Sequence, residues 1–459
     1  MQLIALCLSA AMVSLSGLLF GYSTASIAGS LAQIEADLTL DILGQQVLVA
    51  SVPAACFIGA IAAGPSSARL GRRLVLLIAF SLAAVGNIIA LSAPGYELLV
   101  AARMLVGIAV GLSSMIAPMY GAEITPARYR GTVVASFQLA VTAGILAAYA
   151  TPLLLPGQQS WSLILGIGIV PSMVGLVVVA LLPESPRWLL GRNRTDDARR
   201  AAERLVLELN VAEMSPMGDD VPKAALMATI RRGSTMAVLI LCSFLFVLQN
   251  LSGIDGILYY APHIFEQLGF TEGTSALAAT FGLGLLNFLA TVVALWMVDR
   301  AGRRPLMLVG SAFMVAGLAL VIVSSVFGLP TLGLIGLGLY IVAFAVSLGP
   351  LPFVLMSELF PSTIREAGIA TASATSWLFN MLVAFTFLSL VELMGLAGVI
   401  GLFMAMCVIA FVIGLFFVPE TKGRSLEAIE DDVLGGTPLR RVGDGTRPLS
   451  PEAARSDAL

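Results

Sequence analysis

Gln138, Gln249, Asn250, Asn287 and Asn380 lie inside long apolar stretches of this sequence. Polar groups are costly there, and function is the default reason for keeping them. An amide both donates and accepts hydrogen bonds. Asp255 is the only carboxylate well inside such a stretch, and Arg103 the only basic residue. This set can bind a ligand through hydrogen bonds and, at Asp255, take up and release a proton. Bond-breaking chemistry lacks its parts. There is one histidine, His263, placed as a solvated loop residue just beyond an apolar stretch, and four cysteines, Cys7, Cys56, Cys242 and Cys407, within apolar stretches and without a C-x-x-C pair. That leaves no metal set and no His-based triad. No P-loop, H-E-x-x-H or G-x-S-x-G nucleophile context appears, so an enzyme is disfavoured and no cofactor is required.

A second set sits at the ends of the apolar stretches. Arg72, Arg73 and Arg130 can meet Glu123 and Glu184; Arg303, Arg304 and Arg365 can meet Asp299, Glu358 and Glu420. Ion pairs at such a junction can clasp two bodies together and break when that end opens, which makes these residues a candidate inner gate. The plainer reading is that they anchor helix ends by positive-inside charge and snorkelling.

The elements that position both sets are membrane helices. Of the 459 residues, 58% are hydrophobic and 12% charged, with a mean hydropathy of +0.96. Soluble chains carry about 25% charge. The net charge of −3 argues against a nucleic-acid partner. A crossing needs about 20 apolar residues, and twelve such stretches occur, near 4–28, 46–67, 74–93, 97–120, 132–154, 161–182, 235–260, 273–297, 305–327, 331–355, 368–390 and 395–418. All basic residues except Arg103 fall in alternate loops or the tail, which predicts cytoplasmic termini. The predicted organisation is a six-helix half over 1–182, a cytoplasmic loop over 183–234, a second half over 235–418, and a cytoplasmic tail over 419–459, disordered from about Gly435. Within the loop, Thr195 is placed to cap a short amphipathic helix. In the fourth stretch, Gly107-x-x-x-Gly111 reads as a helix-packing motif.

The halves repeat. Arg69-Leu-Gly-Arg-Arg73 returns as Arg300-Ala-Gly-Arg-Arg304, and Glu123-x-x-Pro126-x-x-x-Arg130 as Glu358-x-x-Pro361-x-x-x-Arg365. Pro183-Glu184-Ser-Pro-Arg187 returns more loosely as Pro419-Glu420-Thr-Lys-Gly-Arg424. Repeated halves around a midplane site are the architecture of secondary transporters.

These motifs, with Pro183-Glu-Ser-Pro-Arg-Trp-Leu189, Gln249-Asn-Leu-Ser-Gly-Ile-Asp-Gly-Ile-Leu-Tyr-Tyr260 and Pro419-Glu-Thr-Lys-Gly-Arg-Ser-Leu-Glu427, resemble the sugar porters of the major facilitator superfamily over about residues 14–432. The resemblance implies an all-α membrane protein of twelve transmembrane helices in two pseudo-symmetric halves, moving a hexose or pentose by alternating access. It implies a monomer in a lipid bilayer; the arginine-rich composition points to a bacterial cytoplasmic membrane, with a eukaryotic plasma or organelle membrane as the alternative. Its sugar-binding pattern maps onto Gln138, Gln249, Asn250, Asp255, Asn287, Phe353, Trp377 and Asn380, its outer gate onto Tyr259 and Tyr260, and its inner lock onto the arginine–glutamate set.

The departures are informative. Ala68 stands where the family usually has Asp, Phe353 where it has Trp, and Ser376 where it has Asn or Gln. Gly21-Tyr22-Ser23 lacks the family's proton-linked Asp, although its expected partner Arg103 is present, and Asp255 replaces Asn. A serine cannot cycle a proton near neutral pH. The simplest reading is therefore a passive facilitator. The alternative is a proton–sugar symporter in which coupling has moved to Asp255, assisted by Arg103. A sugar sensor and a drug–proton antiporter on the same fold are minor readings.

Overall fold

The computed structural model describes residues 2–93, 95–155, 161–207, 229, 233–271 and 274–443. Backbone polar groups inside a bilayer have no water to bond, so crossing segments close their hydrogen bonds within themselves as helices. The first half contains α1 (Gln2–Ala25), α2 (Leu31–Leu38), α3 (Ile42–Leu70), α4 (Arg72–Leu91), α5 (Tyr96–Ile124), α6 (Ala127–Leu154), α7 (Trp161–Gly166) and α8 (Ile169–Leu181). Two short helices follow, α9 (Pro186–Gly191) and α10 (Thr195–Leu205). The second half contains α11 (Gly233–Leu251), α12 (Ile254–Tyr259), α13 (Ala261–Gln267), α14 (Thr274–Ala301), α15 (Arg303–Phe327), α16 (Pro330–Val346), α17 (Leu351–Leu359) and α18 (Arg365–Phe416). The tail forms α19 (Leu426–Leu434).

Among the described residues, eleven helical segments are long and apolar enough to cross a membrane. The twelfth expected crossing lies inside α18. That helix has 52 residues with a non-helical break at Gly395 (φ 70°, ψ 167°). At 1.5 Å per residue it is far longer than a bilayer core of about 30 Å, so it crosses, turns at Gly395 and crosses back.

Three crossings are interrupted. The sixth breaks between α7 and α8, the seventh at Ser252–Gly253, and the tenth between α16 and α17. At the seventh, Gly253 has φ +96°, and a β-carbon there would lie 2.0 Å from the Phe403 ring. The freed polar groups find partners: the Tyr340 hydroxyl donates to the Ser252 carbonyl at 3.0 Å, and the Gln249 amide donates to the Leu348 and Gly349 carbonyls at 3.1 and 2.8 Å. Gly107 and Gly111 of α5 lie against the backbone of Val52 and Cys56 in α3, the close approach expected of that motif.

Two local expectations are corrected. Thr195 is the first helical residue of α10, not its cap; Arg194 precedes the helix and its Nε donates to Asp197 at 2.7 Å, so an ion pair ties that end. The tail is ordered beyond Gly435 as far as Gly443, because Ile429, Val433 and Val442 are buried in the hydrophobic core that both halves share. The Gly443 N–H also bonds Asp432 at 2.9 Å. The expected disorder of 444–459, like most of the loop between Leu207 and Gly233, lies outside the described residues. Cys56, Cys242 and Cys407 are buried and Cys7 is exposed; all four are free thiols.

Candidate functional site

The arginine–glutamate motifs gather at one end of the bundle, called here the arginine end. In the first half, Arg72 reaches Glu123 through Nε at 3.2 Å, while its backbone N–H bonds Glu184 at 3.0 Å. In the second, Arg303 reaches Glu358 at 2.8 Å and its backbone N–H bonds Glu420 at 3.1 Å. A hydroxyl completes each cluster: Ser185 donates to Glu123, and Thr421 to Glu358. Arg73 and Arg304 also match. Each donates a backbone N–H to the local glutamate and its guanidinium to carbonyls at a helix end, Val179 and Ala180 or Gly414 and Leu415. Burial pushes the Glu184 carboxyl above the usual carboxylate range, and the backbone N–H groups of Ser185, Arg73 and Arg72 oppose that rise.

The same glycine makes room in both halves. Gly71 (φ +89°) and Gly302 (φ +91°) precede these arginines, and a β-carbon at either would strike the Glu184 or Glu420 carboxylate, at 2.3 and 2.6 Å. The hydroxyl members Ser185 and Thr421 were missed as site residues, although both stand next to the glutamates of the Pro-Glu motifs.

The pairs Arg72–Glu123 and Arg303–Glu358 each join helices of one half. With the arginine end open, these pairs brace each half; a clasp between halves belongs to the state in which that end is closed. Arg130 is exposed on the first turn of α6, since Glu123 is already engaged by Arg72 and Ser185. Arg365 donates to the Phe360 carbonyl at 3.2 Å, at the end of α17, because Arg303 and Thr421 occupy Glu358. The Asp299 side chain lies outside the described set.

The other end is closed between the halves. The Tyr149 hydroxyl donates to the Leu258 carbonyl at 2.6 Å, and the Gln46 amide to the Ser389 hydroxyl at 2.6 Å. Tyr260 bonds the Ala384 carbonyl at 2.8 Å and stacks on Phe387 at 4.8 Å. Tyr259 is buried and donates to the Asn380 side-chain oxygen at 3.1 Å. Both tyrosines therefore sit at the closed end beside the broken seventh crossing, where an outer gate was expected.

Between the ends lie the polar residues. Gln138, Gln249, Asn287 and Asn380 sit between 11 and 16 residues from the arginine-end termini of their helices. At 1.5 Å per residue that is roughly 16–24 Å, near mid-depth. Gln138 and Tyr149 are eleven residues apart on α6, which puts them on one face, toward the second half. Gln138 is exposed and Tyr149 fully buried. Phe353, in α17, is also exposed, edge-on to Phe246 at 4.8 Å. The cleft is thus open toward the arginine end and shut at the other.

The remaining contacts divide the expected set. The Asn380 oxygen accepts from Tyr259, and its side chain lies beside the Asp255 carboxyl. Asn250 donates to the Phe246 carbonyl at 2.7 Å and the Ser376 hydroxyl at 3.2 Å. Trp377 crosses to the first half and packs on Phe20, centroids 5.2 Å apart. Asn287 is buried on α14 and makes no side-chain hydrogen bond among the described residues. Gln249 has both described bonds on the tenth crossing's break, which leaves its oxygen for a ligand. Arg103 does not pair with Asp255; its Nη1 donates to the Ser23 carbonyl at 3.0 Å.

A cleft between two repeated six-crossing halves, with amides and aromatics at mid-depth, suits an uncharged hydroxyl-rich ligand. Residues 9–433 match the family model for sugar (and other) transporters. This chain is a sugar porter of the major facilitator superfamily. It is 35% identical over 448 residues to the galactose-proton symporter of Escherichia coli K12, covering 94% of this chain and 95% of that one. It is 34% identical over 445 residues to the arabinose-proton symporter of the same strain, covering 94% of each. Among solved structures, the inward-open xylose transporter XylE from E. coli superposes with a TM-score of 0.77 at 28% identity, over 91% of this chain and 97% of that one. The porter is an integral multi-pass membrane protein that transports sugar; it is not an enzyme.

Proposed function

We propose that this porter equilibrates a monosaccharide, a hexose or pentose, by passive alternating access. One observation carries the passive reading: Arg103 is buried beside Ser23, with no carboxylate bonded to it among the described residues. A proton carrier needs a group that ionises near working pH, and a hydroxyl does not. The sugar binds at mid-depth against Gln138, the free oxygen of Gln249, Asn287, Asn380 and Asp255, with Trp377 and Phe353 as apolar walls. Tyr259 and Tyr260 form the outer gate. The basic end faces the cytoplasm by the positive-inside distribution, so the open cleft faces inward. One chain supplies every site residue, so a monomer suffices.

A second reading has its own support. Asp255 is a carboxylate inside the site, beside Asn380, and relatives at 34–35% identity are named proton symporters. The deciding experiment uses purified protein in proteoliposomes. Labelled hexoses and pentoses are screened by counterflow, then the best substrate is tested with an inward proton gradient. The passive reading expects equilibration that ignores the gradient. Accumulation above equilibrium that collapses with a protonophore overturns it and selects Asp255. Absence of counterflow with every sugar overturns the assigned substrate class.

A further inference from the structure

Arg103 is a buried cation without a described counter-charge. The residue is 5% exposed and Ser23 is 4% exposed. Nη1 of Arg103 takes the Ser23 backbone carbonyl. Its Nε, and the Ser23 hydroxyl, have no partner among the described residues. The two residues line one cavity of about 10 Å³, together with Ser26, Gly86, Asn87 and Leu165. That is room for about one particle the size of water.

Among the other lining groups, the Ser26 hydroxyl and the Asn87 amide nitrogen are engaged, while the Asn87 oxygen has no described donor. The Ser26 hydroxyl donates to the Ser23 carbonyl at 3.4 Å, and the Asn87 amide donates to Ala83 at 2.8 Å and Ser172 at 3.5 Å. The fully buried atoms without a described partner, a guanidinium N–H and a hydroxyl, are both able to donate. A buried charge is tolerated when it is paired and hydrogen-bonded. A small cavity lined by two unpartnered donors, one of them cationic, suits a small monovalent anion better than a cation or a polyatomic anion.

We propose that this cavity between α1, α4, α5 and α7 binds a halide, chloride in the cell, held by Arg103 Nε and the Ser23 hydroxyl. The halide supplies the negative charge that the side chain at 23 does not. The cavity is lined by first-half residues alone, set apart from the amides that face one another between the halves. The inference does not depend on whether sugar movement is passive or proton-linked.

Full-length purified protein is melted in sodium chloride and in sodium gluconate mixed at constant ionic strength. A ligand that binds the native state raises the melting temperature with saturable dose dependence. The expected result is a saturable rise of a few degrees with chloride or bromide and none with gluconate. Ser23→Asp places a carboxylate in the cavity, and its melting temperature is expected to ignore halide. Crystals soaked in bromide should show anomalous scattering beside Arg103. Wild-type melting that is equal in chloride and gluconate overturns the proposal. So does halide stabilisation that survives in Ser23→Asp, or bromide bound only elsewhere. If Ser23→Asp fails to fold, the wild-type titration and the bromide position still decide.

Discussion

The Tyr149 hydroxyl, in the first half, donates to the Leu258 carbonyl, in the second, at 2.6 Å. This bond crosses the closed end of the cleft, where Gln46 and Ser389 also meet. A neutral hydrogen bond contributes about 1 kcal/mol. Tyr149→Phe should therefore shift the balance toward opening at this end by about fivefold. Spin labels on the two halves there should show a larger long-distance population. An unchanged distribution would mean that packing, not this bond, holds the end shut.

The Asn380 side chain accepts from the Tyr259 hydroxyl at 3.1 Å and lies beside the Asp255 carboxyl. Asn380→Ala leaves both groups without that partner and removes a contact offered to sugar. Hydrogen bonds to charged groups are worth about 1.5–3 kcal/mol. Equilibrium binding of the best counterflow sugar should weaken by about tenfold or more. Unaltered affinity would place the sugar away from the seventh crossing's break.

Much of this arrangement was legible in the sequence, for physical reasons. Twelve apolar stretches give twelve crossings because lipid leaves the backbone no alternative to helices. The offset between Arg72 and Arg303 announced two matching clusters, and the clusters match down to the glycine before each arginine. Arg72 and Arg303 meet the glutamates expected of them, but the places of Arg130 and Arg365 were not legible. Arg130 and Arg365 have the residue types of ion-pair partners, yet Arg72 and Arg303 reach the carboxylates first. Gln249 read first as a ligand residue, with interhelical bonding as the alternative, and the carbonyls of Leu348 and Gly349 claim its amide. That need arises at a helix break a hundred residues away, which no local pattern reports. Tyr149 was missed because its partner is a backbone carbonyl, and a carbonyl leaves no trace in residue identity.

Bracing within halves and clasping between halves make different predictions for Glu358→Gln. The substitution weakens the 2.8 Å bond from Arg303 and the bond from Thr421. If the cluster braces one half, the melting temperature falls, by an amount equivalent to about 1–3 kcal/mol. Label distances between the halves at the arginine end stay the same. Separation of the halves with stability kept would restore the clasp.

Gly302 should be far less replaceable than Gly64. At Gly302 the backbone has φ +91° and a β-carbon would lie 2.6 Å from the Glu420 carboxylate, whereas nothing lies within 4 Å of one at Gly64. Gly302→Ala is expected to cost about 1–3 kcal/mol in stability. Gly64→Ala, inside α3, should be neutral or stabilising by up to about 1 kcal/mol, since alanine favours a helix. Thermal unfolding of the two variants checks the ranking. Equal melting temperatures would remove the glycine from the account of the cluster.

The pH dependence of uptake separates the two roles open to Asp255, because they have opposite signs. In the passive reading the ionised carboxyl accepts hydrogen bonds from sugar hydroxyls. Protonation removes a charged acceptor, so affinity should weaken as pH falls equally on both sides, by about tenfold or more once Asp255 is protonated. Asp255→Asn should bind less tightly than the ionised wild type, and its affinity should no longer respond to pH. In the symport reading the proton must load with sugar on the outer side and leave on the inner side. Uptake should then rise as the outside alone is made acidic, and Asp255→Asn should abolish that rise while keeping counterflow. Ser23 takes no part in either trend, because its hydroxyl does not ionise in this range. Uptake at matched and mismatched pH, for wild type and Asp255→Asn, therefore assigns the carboxylate as a sugar acceptor or a proton carrier by the sign of one slope.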